Sequence, residues 1–267
     1  MLYCLLLFFL IEAFAYGLEN HDSRAVEFDV MLSADDVPVL HHDAALGRTV
    51  QHPGYCVDYT ALELSNMDAG AWHSVLYAGA TVPLYEDVVT YCRANNIWMN
   101  VEVKGDFSNF THLRKIGFTV AALTKVLFKK ELTQECINYH TLPLISSFSI
   151  EALEGALVAA PEIPRAFLVR GIGSTPGFVS SIEHLLSILG SLEATACHLN
   201  QQGLLQSDVT ALLANGYNVM CYTVNCPKRL MELEAYGVQS ICTDRFDLDQ
   251  CGTASPISTL LCPVSRL

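Results

Sequence analysis

From residue 25 onward the chain alternates short apolar runs with longer amphipathic stretches. Runs rich in β-branched and aromatic residues predict strands over 25–31, 37–41, 98–104, 142–147, 165–170, 195–199, 218–224 and 238–243. Between them, the three-to-four-residue spacing of apolar positions predicts helices over 11–20, 84–96, 109–130, 150–160, 178–191, 206–215 and 227–236. Ser149 stands where a cap should precede Ile150-Glu151-Ala152-Leu153, Pro227 falls in a first turn, and Gly216 and Gly237 fall where helices should stop. Repeated strand–helix alternation implies parallel strands covered by helices. About eight such units fit a closed α/β architecture, the TIM (β/α)8 barrel. A doubly wound open sheet is the alternative, but the chain has neither GxGxxG nor a Walker lysine motif.

Two stretches break this rhythm. Residues 43–82 hold no long apolar run and are rich in Gly, Asp and aromatic side chains. They read as a small insertion after the second strand, a lid over the mouth where barrel sites lie. Residues 1–10 are nearly all apolar, and Glu12 soon follows. That run is too short to span a bilayer, which takes about 20 residues. It reads either as a core element that replaces an absent first strand, or as part of a signal peptide over residues 1–15, cleaved near Ala13-Phe14-Ala15. The expected organisation is one barrel over 11–249, with an atypical N-terminus at 1–10 and a C-terminal tail at 250–267. The expected compartment is the cytoplasm, with secretion following only from the signal-peptide reading.

The chemistry concentrates in two strands. Val26-Glu27-Phe28-Asp29-Val30 and Asn100-Val101-Glu102-Val103-Lys104 carry charged residues at every second position. Side chains two apart on a strand share a face, so Glu27 projects with Asp29 and Glu102 with Lys104. A parallel barrel strand is covered on both sides, which forces one set into the interior. Buried charge is tolerated when paired or when it holds a cation. Three carboxylates and one ammonium point to a hard divalent metal beside an anion. His42 lies thirteen residues beyond Asp29, and a hairpin through Ser33-Ala34-Asp35-Asp36 would return it to the acids. Its neighbour His41 must face the other way. His198, Asn200, Tyr222, Asn225 and Asp244 sit at the ends of later strands, and Asp244 is as well placed to brace a loop as to touch a ligand. Tyr55, Tyr59 and Trp72 in the insertion suit either a pocket wall or packing beneath a long loop.

Composition narrows the partners. With 51% hydrophobic and 16% charged residues, the 267-residue chain can bury a sizeable core. A net charge of −13 disfavours nucleic acid and anionic membrane surfaces. The ten cysteines show neither CxxC pairs nor zinc-ligand spacing, so buried free thiols are expected.

Taken in order, these blocks resemble the glycerophosphodiester phosphodiesterase family, in its compact bacterial cytosolic form. The resemblance runs from residue 11 to 249. It is carried by Val26-Glu27-Phe28-Asp29-Val30, by Val39-Leu40-His41-His42-Asp43 with Leu46-Gly47-Arg48-Thr49, and by Met67-Asp68-Ala69-Gly70-Ala71-Trp72. Val82-Pro83-Leu84-Tyr85-Glu86-Asp87, Asn100-Val101-Glu102-Val103-Lys104, Leu144-Ile145-Ser146-Ser147-Phe148, Tyr222-Thr223-Val224-Asn225 and Gly237–Asp244 complete it. It implies a TIM barrel that hydrolyses glycerophosphodiesters to glycerol 3-phosphate and an alcohol, using Ca²⁺ or Mg²⁺. It implies Glu27, Asp29 and Glu102 as metal ligands, His42 as one of two acid/base histidines, and Lys104 as a contact to the substrate phosphate.

The chain also departs from that family. The family's first strand ends in His-Arg-Gly, followed by a Pro-Glu-Asn-Thr-like turn, and residues 1–10 contain none of these. His21 falls at the opposite mouth and His41 faces away, so neither replaces the missing histidine. The alternative reading is therefore a barrel that binds metal or phosphodiester with impaired or no turnover.

Overall fold

Leu2–Leu6, within the apolar run at the start of the chain, form a strand that closes the sheet on itself. The computed structural model describes residues 2–6, 10–106, 108–134, 138–245 and 248, with backbone alone for 2–6 and 139. The strands are β1 (Leu2–Leu6), β2 (Ala25–Leu32), β3 (Pro38–Leu40), β4 (Trp98–Val103), β5 (Leu144–Ser147), β6 (Arg165–Val169), β7 (Ala196–Asn200), β8 (Asn218–Tyr222) and β9 (Ser240–Thr243). The helices are α1 (Ile11–His21), α2 (Ala61–Leu64), α3 (Tyr85–Ala94), α4 (Phe110–Leu127), α5 (Lys129–Leu132), α6 (Ile150–Ala159), α7 (Ile182–Ser191), α8 (Gln206–Ala214) and α9 (Pro227–Tyr236).

The order β1-β9-β8-β7-β6-β5-β4-β2 returns to β1 through a β1–β2 pairing, so eight parallel strands form a ring. β1 pairs with β9 from Leu2↔Ser240 to Leu5↔Thr243, and with β2 at Leu5↔Val26 and Leu6↔Glu27. The first strand is thus replaced in sequence but present in the ring. β3 stands outside this count and pairs antiparallel with the C-terminal half of β2, at Val30↔Leu40 and Leu32↔Pro38.

Alternation along each strand sorts the side chains between two buried faces. Phe28, Val30, Val101, Val103, Ile145, Phe167, Val169 and Leu199 join the apolar layer under the helices. Their alternates close the barrel floor: Ala25 packs with Met220 and Cys242, and Leu144 with Ala166, Ala196 and Trp98. Glu27, Asp29, Asn100 and Glu102 share the phase of the floor residues. They are therefore carried into the interior as the strands rise toward their C-terminal ends.

The insertion has a core of its own. Leu46, Val50, Cys56, Leu64, Met67 and Val82 cluster over Met31, Val39 and Leu10. It holds α2, which the sequence pattern did not suggest because four residues are too short for a helical period. The insertion leaves and rejoins the barrel at one place, where Leu40 N donates to Pro83 O at 3.0 Å. The predicted helix over 109–130 breaks at Phe128 into α4 and α5, and the one over 178–191 starts later, where Ser181 accepts from His184 N at 3.2 Å. The tail at 250–267 lies outside the described residues. Among the described cysteines, Cys56, Cys92, Cys197, Cys221 and Cys242 are buried free thiols and Cys226 is an exposed one. Among the described residues, no helix is long and apolar enough to cross a membrane.

The helices after β4 and β5 are locked by two glycines. A Cβ on Gly117 would collide with the Ala152 carbonyl, and one on Gly155 with the Arg114 carbonyl. Since α4 hangs from the strand that carries Glu102 and Lys104, this close crossing fixes that strand from outside. Gly117→Ala should cost roughly 3 kcal/mol of stability, the upper part of the range for overpacking. Urea unfolding at an unchanged midpoint would refute that account.

Candidate active site

Register brings the acids together. Asp29 pairs with Glu102 and Glu27 with Asn100 across β2 and β4. One oxygen from each of Glu27, Asp29 and Glu102 lies within 4.8 Å of the others, and the three residues are 5%, 1% and 7% exposed. Lys104 Nζ stands 3.0 Å from Asp29 Oδ1 and 3.4 Å from Glu102 Oε1. These ion-pair contacts leave both oxygens buried. Asp29 Oδ2 and Glu27 Oε2 are likewise buried with no hydrogen-bond partner.

Such a cluster strains its own ionisation. Burial pushes the Glu27 carboxyl well up, and the neighbouring Asp29, Cys242 and Glu102 add to that. Asp29 is raised to about 7, by burial first and Glu102 second, against the pull of Lys104 and His42. Burial also raises Glu102, with Lys104 opposing. Burial drags Lys104 down, but Asp29 and Glu102 more than reverse it, so its ammonium is held above the usual range. With all groups ionised, three carboxylates against one ammonium leave two negative charges. A hard divalent cation supplies both the charge and the oxygen-seeking coordination that the orphaned oxygens call for. The donor set therefore fits a hard divalent cation.

The hairpin anticipated between β2 and β3 forms. Ser33 Oγ donates to Asp35 Oδ1 at 2.6 Å and accepts from Val37 N at 3.0 Å, which tightens the turn. The chain then returns along β2, and His41 N donates to Asp29 O at 3.1 Å. His42 is thereby placed where its charge acts on Asp29. His41 turns the other way and is buried beneath the insertion, its Nε2 3.4 Å from Ala45 O. His42 Nδ1 bonds Asp43 Oδ1 at 2.6 Å. Arg48 grips the same carboxylate with two donors, Nε to Oδ2 at 2.5 Å and Nη2 to Oδ1 at 2.9 Å, which holds the Asp43 carboxyl well below its usual range. Arg48 also lies over the Trp72 ring, 5.5 Å from its centroid.

Sequence patterns did not assign a role to Asp43 and Arg48. The adjacent His-Asp pair was visible, but its arginine is set by the path of the insertion. Of the three aromatic candidates, Trp72 and Tyr59 are tied into the insertion, by bonds to Ala69 O at 2.9 Å and Pro53 O at 2.9 Å. Tyr55 instead lines a groove of about 720 Å³ with Met31, Ala44, Val57, Gly105 and His112, next to the segments that carry His42 and Lys104. Asp244 braces a loop: Asn225 Nδ2 donates to its Oδ2 at 2.6 Å, and its own N–H donates to Asn225 Oδ1 at 2.9 Å. His198 is buried in the interior phase of β7, where burial lowers its pKa to about 3 and keeps it neutral.

Comparison with known proteins agrees with this geometry. The sequence pattern of the glycerophosphoryl diester phosphodiesterase family matches residues 11–248. The glycerophosphodiester phosphodiesterase of Bacillus altitudinis is 26% identical over 238 residues, spanning 87% of this chain and 86% of its own. An Oleispira antarctica phosphodiesterase, solved in complex with the product sn-glycerol-3-phosphate, superposes with a TM-score of 0.70 at 26% identity, covering 85% of this chain and 84% of its own. The glycerophosphodiester phosphodiesterase of Thermotoga maritima shares the fold, with a TM-score of 0.67 at 17% identity over 94% of this chain and 97% of its own. With most of its length matched and the same barrel underneath, the chain belongs to the glycerophosphoryl diester phosphodiesterase family.

Proposed function

We propose that the chain hydrolyses glycerophosphodiesters to glycerol 3-phosphate and an alcohol, with Ca²⁺ or Mg²⁺ held by Glu27, Asp29 and Glu102. One observation carries this reading: three buried carboxylates lie within 4.8 Å of one another, with orphaned oxygens, at the C-terminal end of two barrel strands. When bound, the cation supplies Lewis-acid polarisation of a phosphoryl oxygen. Lys104 adds a positive charge that the substrate phosphate meets as a point charge. Asp43 holds Nδ1 of His42 and orients the ring, which assigns Nε2 to exchange a proton with the nucleophile or the leaving alkoxide. Arg48 keeps Asp43 ionised for that task. The substrate is a small molecule in this reading, as the product-bound Oleispira relative supports.

A second reading keeps the binding and omits the turnover. β1 reads Leu-Tyr-Cys-Leu-Leu, so it brings neither a histidine nor an arginine to the mouth beside Glu27. A single assay separates the two: wild-type protein that takes up the cation but releases no glycerol 3-phosphate from glycerophosphocholine is a binding barrel.

The ion-free protein should be pH-sensitive in a defined direction. The folded-state pKa values of Glu27, Asp29 and Glu102 are raised above their unfolded values. Their contribution is therefore fully present below about pH 4, and it is lost as pH rises through the value of about 7 for Asp29. Cation binding offsets that loss, and at a concentration of 100 times Kd it contributes about 2.7 kcal/mol. Calcium or magnesium should thus raise Tm by about 5–10 °C at pH 8, and by clearly less at pH 5. Equal shifts at both pH values would contradict the site. Glu102→Gln should abolish both cation uptake in calorimetry and metal-dependent hydrolysis, and intact turnover rejects its role. His42→Ala should lower kcat about 10²–10⁴-fold with cation affinity retained. Asp43→Asn should lower kcat with KM little changed, because the ring stays but its proton is misassigned.

A further inference from the structure

Arg170 differs from every other described arginine. Arg24, Arg48, Arg93, Arg114 and Arg229 each pair with a carboxylate. Arg165 donates to five backbone carbonyls, and Arg245 donates to Asn225 O. Arg170 makes no hydrogen bond or ion pair among the described residues. Its guanidinium instead lies over the Phe148 ring, 5.0 Å from the centroid.

That ring is itself held in place. Tyr222 meets it edge-on at 5.9 Å and 90°, and the Tyr222 hydroxyl donates to Val169 O at 2.9 Å. An aromatic face orients a guanidinium while leaving its charge and its five N–H donors available. A carboxylate partner would have neutralised it.

The placement is at the same mouth as the acids. Arg170 continues the interior phase of Ala166 and Leu168 one residue past the end of β6, and Phe148 does the same one residue past β5. The positive field of Arg170 acts on Glu102, which Lys104 approaches from its own strand. β6 stands three strands round the ring from β2. Lys104 is engaged by Asp29 and Glu102, so its charge is already partly answered within the cluster. Arg170 is a cation at this mouth whose donors meet no hydrogen-bond or ion-pair partner among the described residues, and a planar fork of donors matches phosphate oxygens in pairs.

We infer that Arg170 grips the substrate phosphate through a two-point contact. The inference rests on the hydrolase reading for the identity of the substrate, but its test does not need turnover. Calorimetry with glycerol 3-phosphate and, separately, inorganic phosphate should be run on wild type, Arg170→Gln and Arg170→Lys, each in saturating calcium or magnesium. Arg170→Gln should weaken both ligands about 10- to 100-fold, the loss expected for charge-assisted hydrogen bonds. Arg170→Lys should recover only part, because it restores the charge without the fork. Arg170→Lys should match wild type in calcium affinity and Tm, and Arg170→Gln should not weaken calcium uptake, because losing a positive charge that acts on Glu102 cannot loosen a cation there. In turnover, the loss should appear mainly in KM. Arg170→Gln binding glycerol 3-phosphate as tightly as wild type overturns the inference, as does a wild type that takes up neither anion. Wild type that binds glycerol 3-phosphate without hydrolysing any glycerophosphodiester removes the hydrolase reading and leaves the Arg170 contact standing if the variant binds weakly.

Discussion

Three carboxyl groups held almost dry around one ammonium set the terms for the rest of this fold. Asp29 is 1% exposed and both of its side-chain oxygens are buried. Left alone, such a cluster would bind protons, and burial does raise all three acids. Lys104 answers one charge and leaves two. The surrounding architecture holds the acids in register despite that repulsion, through the continuous β2–β4 ladder from Ala25↔Trp98 to Val30↔Val103. The cost of placing charge here is thus met by backbone pairing outside the cluster and by whatever cation the oxygens take up.

The closed ring makes that placement stable. β1 contributes five residues whose backbone pairs with β9 on one side and β2 on the other. An open edge between β9 and β2 would expose unpaired backbone at the flank of Glu27. The strand therefore serves closure. Its sequence brings no charged group to the mouth, and the polar chemistry is displaced onto the hairpin after β2 and the ends of β4, β6 and β8.

Much of this was readable from the chain because it follows short-range periodicity. The two-residue phase placed Glu27 with Asp29 and Glu102 with Lys104, and strand–helix alternation gave the barrel, although the run at 37–41 counted among its eight strands is the antiparallel β3 outside the ring and β1 takes its place. The thirteen residues from Asp29 to His42 predicted the hairpin that forms. What stayed hidden depends on contacts between distant segments. The Arg48 grip on Asp43 depends on how the insertion folds back over Trp72. The Arg170–Phe148 stack joins the ends of two different strands, and no local pattern marks it, although extending the phase of Ala166 and Leu168 by one step would have aimed Arg170 inward. β1 was ambiguous because a short apolar run reads equally as strand, helix or leader.

The site that results is lopsided. One flank holds His42 with its Asp43–Arg48 brace, and three strands round the ring stands Arg170 on its aromatic platform. His198 lies deeper, facing the interior, and burial keeps it neutral, so it adds no charge to the mouth. A phosphodiester oriented by charge would therefore be pulled from both flanks, with the His42 imidazole on the hairpin flank and the His112 imidazole in the groove beside it. In the proposed reading, proton transfer falls to the face that the insertion covers, where Asp43 holds Nδ1 of His42. The insertion matters to the chemistry through Arg48 as much as through any wall it offers to the alcohol.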